Sequence, residues 1–157
     1  MSAAEIDVRA VVFDMDGLML DTEQMARATW GRAAADCGLD LDDDLFMRLV
    51  GRTRRASAAI LVESWGAEVS IEQFRARCSE HWEAAVAEGG IPVKPGLVEL
   101  LDFLDEAGLP RAVATSTGRA GAERSLGLAG VRDRVHHVVT GDEVERGKPA
   151  PAIFLLA

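Results

Sequence analysis

The first regular pattern in the chain is a hydrophobic run rich in β-branched residues, Val8–Phe13, which is interrupted only by Arg9. A short apolar run of this kind predicts a buried strand of a parallel sheet. The run ends at Asp14 and Asp16, and these are followed by Gly17, which can take a positive φ. Carboxylates at the carboxyl end of such a strand lie where α/β sheets bind ligands. This turn is therefore a candidate reaction centre.

The middle of the chain has apolar residues at helical spacing and contains no convincing strand. We predict helices over residues 23–37, 45–50, 53–65 and 70–87. The last of these opens with Ser70–Gln73, a capping-box pattern, and its apolar residues recur every three or four positions as far as Val86. That stripe is typical of the core of a helical bundle. The acidic run Asp40–Asp44 is interpreted as a solvated helix N-terminus.

A glycine- and proline-rich segment, Gly89–Gly96, separates this part from one in which helices and strands alternate. We predict strands over 110–115 and 135–140, and helices over 97–108, over 119–126 and from Pro149 onward. The first of these helices has an apolar face formed by Leu97, Leu100, Leu101 and Leu104. Alternation of this kind favours an α/β fold with a doubly wound parallel sheet. The predicted domains are an α/β core, residues 1–19 and 91–157, and an inserted α-helical cap, residues 20–90.

Composition and charge limit the classes of partner. The chain has 157 residues, enough for one core with a small appended domain. Its formal net charge of −9 argues against nonspecific binding to nucleic acid or to an anionic membrane. No apolar run approaches a membrane span, and the N-terminus lacks the features of a signal peptide. Cys37 and Cys78 are predicted to be reduced thiols. We therefore expect a cytoplasmic protein.

Polar side chains follow each predicted strand of the sheet. Thr115, Ser116 and Thr117 end the second strand, and Lys148 follows the third. Because the carboxyl ends of parallel strands meet at one edge of a sheet, we expect these groups to converge with Asp14 and Asp16. This convergence predicts phosphoryl transfer to and from a small phosphorylated substrate. It is a stronger argument than any single motif.

Each residue type has a role in that chemistry. A carboxylate can attack phosphorus to give an aspartyl-phosphate, and Asp16 can protonate the leaving oxygen and then activate water. Hydroxyl and backbone N–H groups after the second strand can hold phosphate oxygens, and Lys148 offsets negative charge. One lysine cannot neutralise two aspartates and a phosphate dianion, so Mg²⁺ is implied. An EF-hand loop and a P-loop are both excluded by the spacing of glycines around Asp14 and Lys148.

These motifs resemble the haloacid dehalogenase superfamily, in the branch with a helical cap and sugar-phosphatase or β-phosphoglucomutase activity. The resemblance rests on three segments, Phe13–Glu23, Ala112–Thr117 and Gly147–Pro151, in that order. It implies that Asp14 is the nucleophile and a Mg²⁺ ligand. Asp16 would be the acid/base and would also touch the metal. Dehalogenases and phosphonate-cleaving members lack an aspartate at the position of Asp16. The presence of Asp16 therefore favours a phosphate ester as the substrate.

The same resemblance implies further roles at the phosphate and in the cap. Thr115 would bind phosphate together with the Ser116 backbone, and Lys148 would stabilise the negative charge of the nucleophile and the phosphate. Gly17, Ser116, Thr117, Glu23 and Arg54 are the predicted substrate contacts. Glu23 has the alternative role of a helix N-terminal acid, and Arg54 that of a solvated helix start. Arg54 falls where the mutases have an arginine for the distal phosphate, but Val50 stands where they have a lysine. That departure favours a phosphatase over a mutase.

Members of the superfamily continue after the last predicted helix into a strand with an acidic pair that completes the Mg²⁺ site. The sequence ends at Ala157, before any such strand. We therefore expect a truncated chain with impaired activity and an exposed edge of the first strand, open to self-association. A non-catalytic domain that binds phosphorylated ligands is the alternative from a different functional class.

Overall fold

A computed structural model describes residues 7–52 and 54–157. Residues 1–6 lie outside the described residues; they belong to the predicted core and include the N-terminus that lacks the features of a signal peptide. Thr53, the predicted start of a helix, also lies outside them. The chain divides into two compact units. The first runs up to Asp21 and resumes from Ile91 to Ala157, and the second is Thr22–Gly90. We propose that these units are the core and cap domains expected from the sequence.

The first unit contains a three-stranded parallel sheet in the order β1-β2-β3. Its strands are β1 (Val11–Phe13), β2 (Arg111–Thr115) and β3 (His137–Thr140). Val12 pairs with Ala112, and Val113 pairs with Val138. All five residues of β2 are buried, as expected of a central strand with neighbours on both sides. The parallel register brings the carboxyl ends of all the strands to one edge.

Two of the predicted strands are shorter than expected. Residues 8–10 are not in β1, and Val8 is 50% and Val12 38% exposed, so the prediction of a buried strand over Val8–Phe13 was wrong. The physical reason is that β1 pairs only with β2 in the described part of the chain, which leaves its other edge uncovered. Val135 is buried but closes a 3₁₀ turn, Arg132–Arg134, and β3 begins only at His137.

The structure describes helices in both units. They are α1 (Thr22–Asp36), α2 (Asp43–Leu49), α3 (Arg54–Trp65), α4 (Ile71–Gly89), α5 (Leu97–Glu106), α6 (Arg119–Leu128) and α7 (Ala152–Leu156). The last helix begins after Pro151, not near Pro149. On α5 the buried face consists of Leu97, Leu101 and Leu104, whereas Leu100 is 42% exposed, which corrects the predicted apolar face.

The second unit has a hydrophobic core to which each of its helices contributes. Ala33, Phe46, Leu61 and Phe74 are buried in that core. Helix α2 begins as the acidic run suggested, because the Asp42 carboxylate accepts a hydrogen bond from the Leu45 N–H at 2.7 Å. Ser70 caps α4 in the same way, through a 3.2 Å bond from the Gln73 N–H.

Helices α1 and α4 also meet through polar side chains. His81 Nε2 lies 2.7 Å from Asp36 Oδ2, so this contact joins the two helices. Both Cys37 and Cys78 are free thiols. Burial, followed by the nearby Cys37, raises the pKa of Cys78 to about 12. The Cys78 thiol is therefore protonated near neutral pH and is a poor nucleophile.

Candidate active site

The turn after β1 is held by its own backbone. The Met15 carbonyl accepts hydrogen bonds from the N–H groups of Met19 and Leu20, each at 3.0 Å. Gly17 has a φ of 76°, a conformation that L-residues with a side chain rarely adopt, and its N–H donates to the Leu20 carbonyl at 2.9 Å. The Met15 N–H donates to Asp14 Oδ1 at 2.8 Å. The orientation of the Asp14 carboxylate is thus fixed by the turn that follows it.

A second set of contacts ties this turn to the segment that returns to the core. The Lys94 N–H donates to the Met19 carbonyl, and the Asp21 N–H donates to the Pro92 carbonyl, both at 2.8 Å. The Lys94 ammonium also donates to Asp21 Oδ1 at 2.7 Å. These bonds join the two chain segments that border the helical unit, and they brace the turn that carries Asp14 and Asp16.

Asp16 is connected to the end of β2 by hydroxyl groups. Thr117 Oγ1 lies 2.8 Å and Thr115 Oγ1 3.2 Å from Asp16 Oδ2, and both hydroxyls donate to it. Thr115 is fully buried, and its Oγ1 also accepts a 3.1 Å bond from the Thr117 N–H. The end of β2 therefore orients the Asp16 side chain. The Thr115 hydroxyl, predicted to bind phosphate, already has partners within this cluster.

Lys148 supplies positive charge at the same edge. Its Nζ lies 2.6 Å from Asp14 Oδ1 and donates to the Ala114 carbonyl at 2.9 Å. It also lies 5.0 Å from the centroid of the Phe154 ring, within range of a cation–π interaction. These contacts hold the ammonium beside the Asp14 carboxylate, where it offsets the charge of the carboxylate and of any anion bound there.

Residues 140–143 form a network at this edge that the sequence analysis missed. Asp142 Oδ2 accepts a hydrogen bond from the Arg119 N–H at 3.1 Å, so it caps α6, whose own N-cap residue, Gly118, has no side chain. The Thr140 hydroxyl bonds Asp142, and the Glu143 carboxylate pairs with the Arg119 guanidinium. The Thr140-x-x-Glu143 spacing is a capping-box pattern, which was the available signal.

Gly141 lets the loops after β2 and β3 approach each other closely. A Cβ atom at this position would lie 2.4 Å from the Ser116 carbonyl oxygen. The Gly141 N–H donates to the Thr117 carbonyl at 3.3 Å. The backbone at Ser116 and Thr117, predicted to contact phosphate, is thus positioned by a contact that only glycine permits without movement.

The acidic network makes stability depend on pH. The bond from the Thr140 hydroxyl, and next the Arg119 N–H, lowers the pKa of Asp142, and the Arg119 guanidinium lowers that of Glu143. A carboxyl with a depressed folded-state pKa stabilises the fold above its unfolded value, about 3.9 for Asp and 4.3 for Glu, and this stabilisation is lost as pH falls through the folded value. Below about pH 4, we expect the free energy of unfolding of Glu143→Gln to fall less steeply with decreasing pH than that of the wild type. Urea unfolding at a series of pH values measures this, and identical pH profiles would contradict it.

The structure thus brings together, in the first unit, the four predicted catalytic side chains Asp14, Asp16, Thr115 and Lys148, with the predicted substrate contact Thr117 beside them. Gly17 lies in the same turn, and Ser116 is exposed beside the cluster. Glu23 lies in the first turn of α1 and Arg54 at the start of α3, both exposed in the helical unit. Among the described residues there is no group of three or more His, Cys, Asp or Glu side chains that could hold a metal ion.

Comparison with known proteins decides the family. The model of the haloacid dehalogenase-like hydrolases matches residues 8–157. The chain belongs to this family. The expected superfamily is therefore confirmed, as is the α/β fold with a parallel sheet. Membership also identifies the chain as an enzyme of the haloacid dehalogenase-like phosphatase type.

Individual relatives agree with this assignment. The "Phosphorylated carbohydrates phosphatase" of Thermotoga maritima is 34% identical over 149 residues, which cover 95% of this chain and 68% of that protein. The validoxylamine A 7'-phosphate phosphatase of Streptomyces hygroscopicus subsp. limoneus is 29% identical, over 91% of this chain and 66% of that protein. The crystal structure of CbbY from Rhodobacter sphaeroides in complex with phosphate has a TM-score of 0.73 and 28% identity, over 96% of this chain and 71% of that one.

Within residues 7–52 and 54–157, no helix is long and apolar enough to cross a membrane. A cytoplasmic location stays a prediction.

Proposed function

We propose that this chain is a phosphatase of small phosphorylated metabolites resembling sugar phosphates, and that it acts through an aspartyl-phosphate on Asp14. The observation that carries the proposal is the 2.6 Å pair between Asp14 Oδ1 and Lys148 Nζ, at the edge where Thr115 and Thr117 hold Asp16. The Asp14 carboxylate can attack a phosphate ester, because Lys148 offsets negative charge beside it and the Asp16 carboxyl group is available as an acid/base. The phosphatase names of two relatives support the same reaction type.

In the first step Asp14 attacks phosphorus, and the bond from phosphorus to the substrate oxygen breaks. Asp16 donates a proton to that departing oxygen, which leaves as an alcohol. Since Thr115 and Thr117 both donate to Oδ2 of Asp16, we assign Oδ1 as the atom that carries the proton. In the second step Asp16 takes a proton from water, and the resulting oxygen nucleophile attacks the phosphorus of the aspartyl-phosphate. Phosphate leaves and the Asp14 carboxylate is restored.

Lys148 and the loop after β2 stabilise charge in both steps. The ammonium stays beside Asp14 because the Ala114 carbonyl and the Phe154 ring also hold it. The Ser116 N–H lies at the end of β2, where a backbone donor can bind a phosphate oxygen, whereas the Thr117 N–H already donates to Thr115 Oγ1. In this proposal the contact between Gly141 and Ser116 keeps the Ser116 N–H in position.

The donor set at this edge suits Mg²⁺. Asp14 and Asp16 offer oxygen ligands only, and Mg²⁺ is usually bound through one or two carboxylates, with waters and substrate phosphates completing the shell. We propose that the Asp14 carboxylate and the Asp16 backbone hold the ion. When bound, it would neutralise charge on the transferring phosphate.

Selection of the substrate is proposed for the helical unit, through Glu23 and Arg54. Val50 ends α2 in place of the lysine of the mutases, so transfer to water is proposed rather than transfer to a sugar. The test is a panel of sugar phosphates and other phosphate monoesters assayed for phosphate release. We expect turnover with Mg²⁺ that disappears with EDTA and returns when Mg²⁺ is added in excess. Metal-independent turnover would contradict the proposed ion, and absence of release across the panel would contradict the phosphatase.

Self-association is proposed at the uncovered edge of β1. Val8 and Val12 are exposed there, and an open strand edge presents unpaired backbone groups to a second copy of the chain. We expect light scattering to detect dimers or larger species in the wild type and mainly monomers for Val12→Lys. A wild type that remains monomeric at high concentration would contradict this assembly.

A further inference from the structure

A cavity of about 420 Å³ lies at the amino end of the sheet, where β2 and β3 begin. This volume is within the range of sites for small organic ligands, roughly 300–1,000 Å³. Its lining combines the apolar side chains of Leu104, Leu109 and Pro110 with the polar side chains of Asp105, Arg111 and His136. The candidate active site lies at the other end of the strands, and the five residues of β2 separate the two ends by about 13 Å.

Arg111, the first residue of β2, has a side chain that is only 3% exposed. Its Nε donates to the Arg134 carbonyl and its Nη2 to the Asp105 carboxylate. The remaining Nη1 group has no hydrogen-bond partner within residues 7–52 and 54–157. In that part of the chain every buried side-chain nitrogen or oxygen atom has a partner, so Nη1 is not a buried atom. Because Arg111 lines the cavity, Nη1 is the group that can donate to a molecule bound there.

His136 supplies a second donor to the same cavity. The Arg111 backbone N–H donates to His136 Nδ1 at 3.2 Å, so the neutral ring carries its proton on Nε2. The His136 N–H donates in turn to the Arg111 carbonyl at 3.0 Å, and the two bonds together orient the ring. Its Nε2 has no hydrogen-bond partner among the described residues, and the side chain is exposed.

The acidic residue of the lining, Asp105, is neutralised by its own partners. Its Oδ1 accepts a hydrogen bond from Arg111, and its Oδ2 accepts one from Arg134 at 2.7 Å. The bonds from Arg111, followed by those from Arg134, lower the pKa of Asp105, so the carboxylate is ionised near neutral pH. Arg134 also pairs with Asp102 at 2.7 Å. The two arginines therefore balance the two aspartates, and the donors of Arg111 and His136 are left for a ligand.

We propose that this cavity is a binding site for a small organic carboxylate. One carboxylate oxygen accepts from Nη1 of Arg111 and the other from Nε2 of His136, while Leu109 and Pro110 contact the apolar part of the ligand. Hydrogen bonds between a guanidinium group and a carboxylate are charge-assisted and are roughly twice as strong as those between neutral groups. The site goes beyond the proposed phosphatase, because it uses neither Asp14 nor Lys148.

The test is a titration with benzoate, followed by the backbone amide NMR shifts of Leu109 and Arg111. We expect saturable shifts in the wild type and binding that is weakened about tenfold in His136→Ala, as is typical for loss of a hydrogen bond to a charged group. His137→Ala is the matched control, because His137 is the next residue, is exposed and does not line the cavity. It should bind benzoate like the wild type.

A ligand series on the wild type tests the same site without a substitution that could affect folding. Benzamide has the same ring as benzoate but no charge, so it should bind more weakly. Benzylammonium carries the opposite charge and should bind more weakly still. Tighter binding of benzylammonium than of benzoate would identify Asp105 as the group that binds the ligand, and it would overturn the proposal.

The titration also distinguishes the two ends of the sheet. Lys148→Met removes the cation beside Asp14, and benzoate binding should survive this change. Loss of binding in Lys148→Met but not in His136→Ala would place benzoate at the carboxyl end of the strands and overturn the proposal. Equal affinity in the wild type and His136→Ala, or no shifts at tens of millimolar benzoate, would also overturn it. Phosphate release does not enter this test, so its failure would leave the proposed phosphatase unaffected.

Discussion

Asp14→Asn is expected to lower phosphate release at least about 10³-fold, because an amide oxygen does not attack phosphorus as a carboxylate does. The substitution preserves the size of the side chain, so the Oδ1 contacts with the Met15 N–H and Lys148 can persist. We expect the unfolding midpoint to change little. The measurement is initial-rate phosphate release on the best substrate of the panel, together with urea unfolding of both proteins.

The matched control for this variant is Asp7→Asn, which changes the same side chain at an exposed position before β1. It should retain the wild-type rate. Release by Asp14→Asn at more than about a tenth of the wild-type rate would remove Asp14 from its proposed role.

Gly141→Ala is expected to have the largest effect on stability. The added Cβ would meet the Ser116 carbonyl oxygen at 2.4 Å and its carbonyl carbon at 3.0 Å, and these are backbone atoms that cannot swing aside. The loops after β2 and β3 must then move apart. Overpacking of this kind costs typically about 1–3 kcal/mol in the free energy of unfolding. We also expect a raised KM, because the backbone at Ser116 and Thr117 shifts.

Gly127→Ala is the control for Gly141→Ala. Gly127 lies in α6, and a Cβ there would meet nothing within 4 Å. Alanine is the better helix former, so this variant should gain roughly 0.5–1 kcal/mol. Urea unfolding measures both. A Gly141→Ala protein as stable as the wild type would show that the contact between the two loops does not constrain the fold.

Much of the fold could be predicted because the relevant signals are local in the sequence. Only the end of the apolar run, Val11–Phe13, forms a strand. The helical spacing from Ile71 to Val86 and the segment Gly89–Gly96 likewise reflect the backbone state of the residues themselves. Parallel pairing followed from the alternation of helices with strands. The convergence of Asp14 with Lys148 then followed from sheet geometry, since the carboxyl ends of parallel strands share one edge.

The missed features depend on contacts between distant segments. A strand's own residues do not say whether a neighbour covers each edge, so the exposure of Val12 could not be predicted. Arg111 is buried in β2 because it reaches Asp105 and the Arg134 carbonyl, and neither partner is evident from the strand pattern. The close approach of Gly141 to Ser116 likewise needs both loops in place.

The site was predicted as a set of residues, but not as a network. The sequence indicated that Thr115 and Thr117 would lie near Asp16, yet it assigned their hydroxyls to phosphate. In the structure both hydroxyls donate to the Asp16 carboxylate. Asp142 was not among the predicted site residues, although its capping of α6 helps to order the loop after β2.

In the proposed mechanism, phosphate passes through a covalent bond to Asp14. Its most direct test is rapid acid quenching of the protein during turnover of a sugar phosphate, followed by proteolysis and mass spectrometry of the peptide between Arg9 and Arg27. We expect one added phosphoryl group, located on Asp14 by fragmentation and absent from Asp14→Asn. Turnover with no phosphorylated peptide, or with the phosphoryl group on another residue, would contradict it.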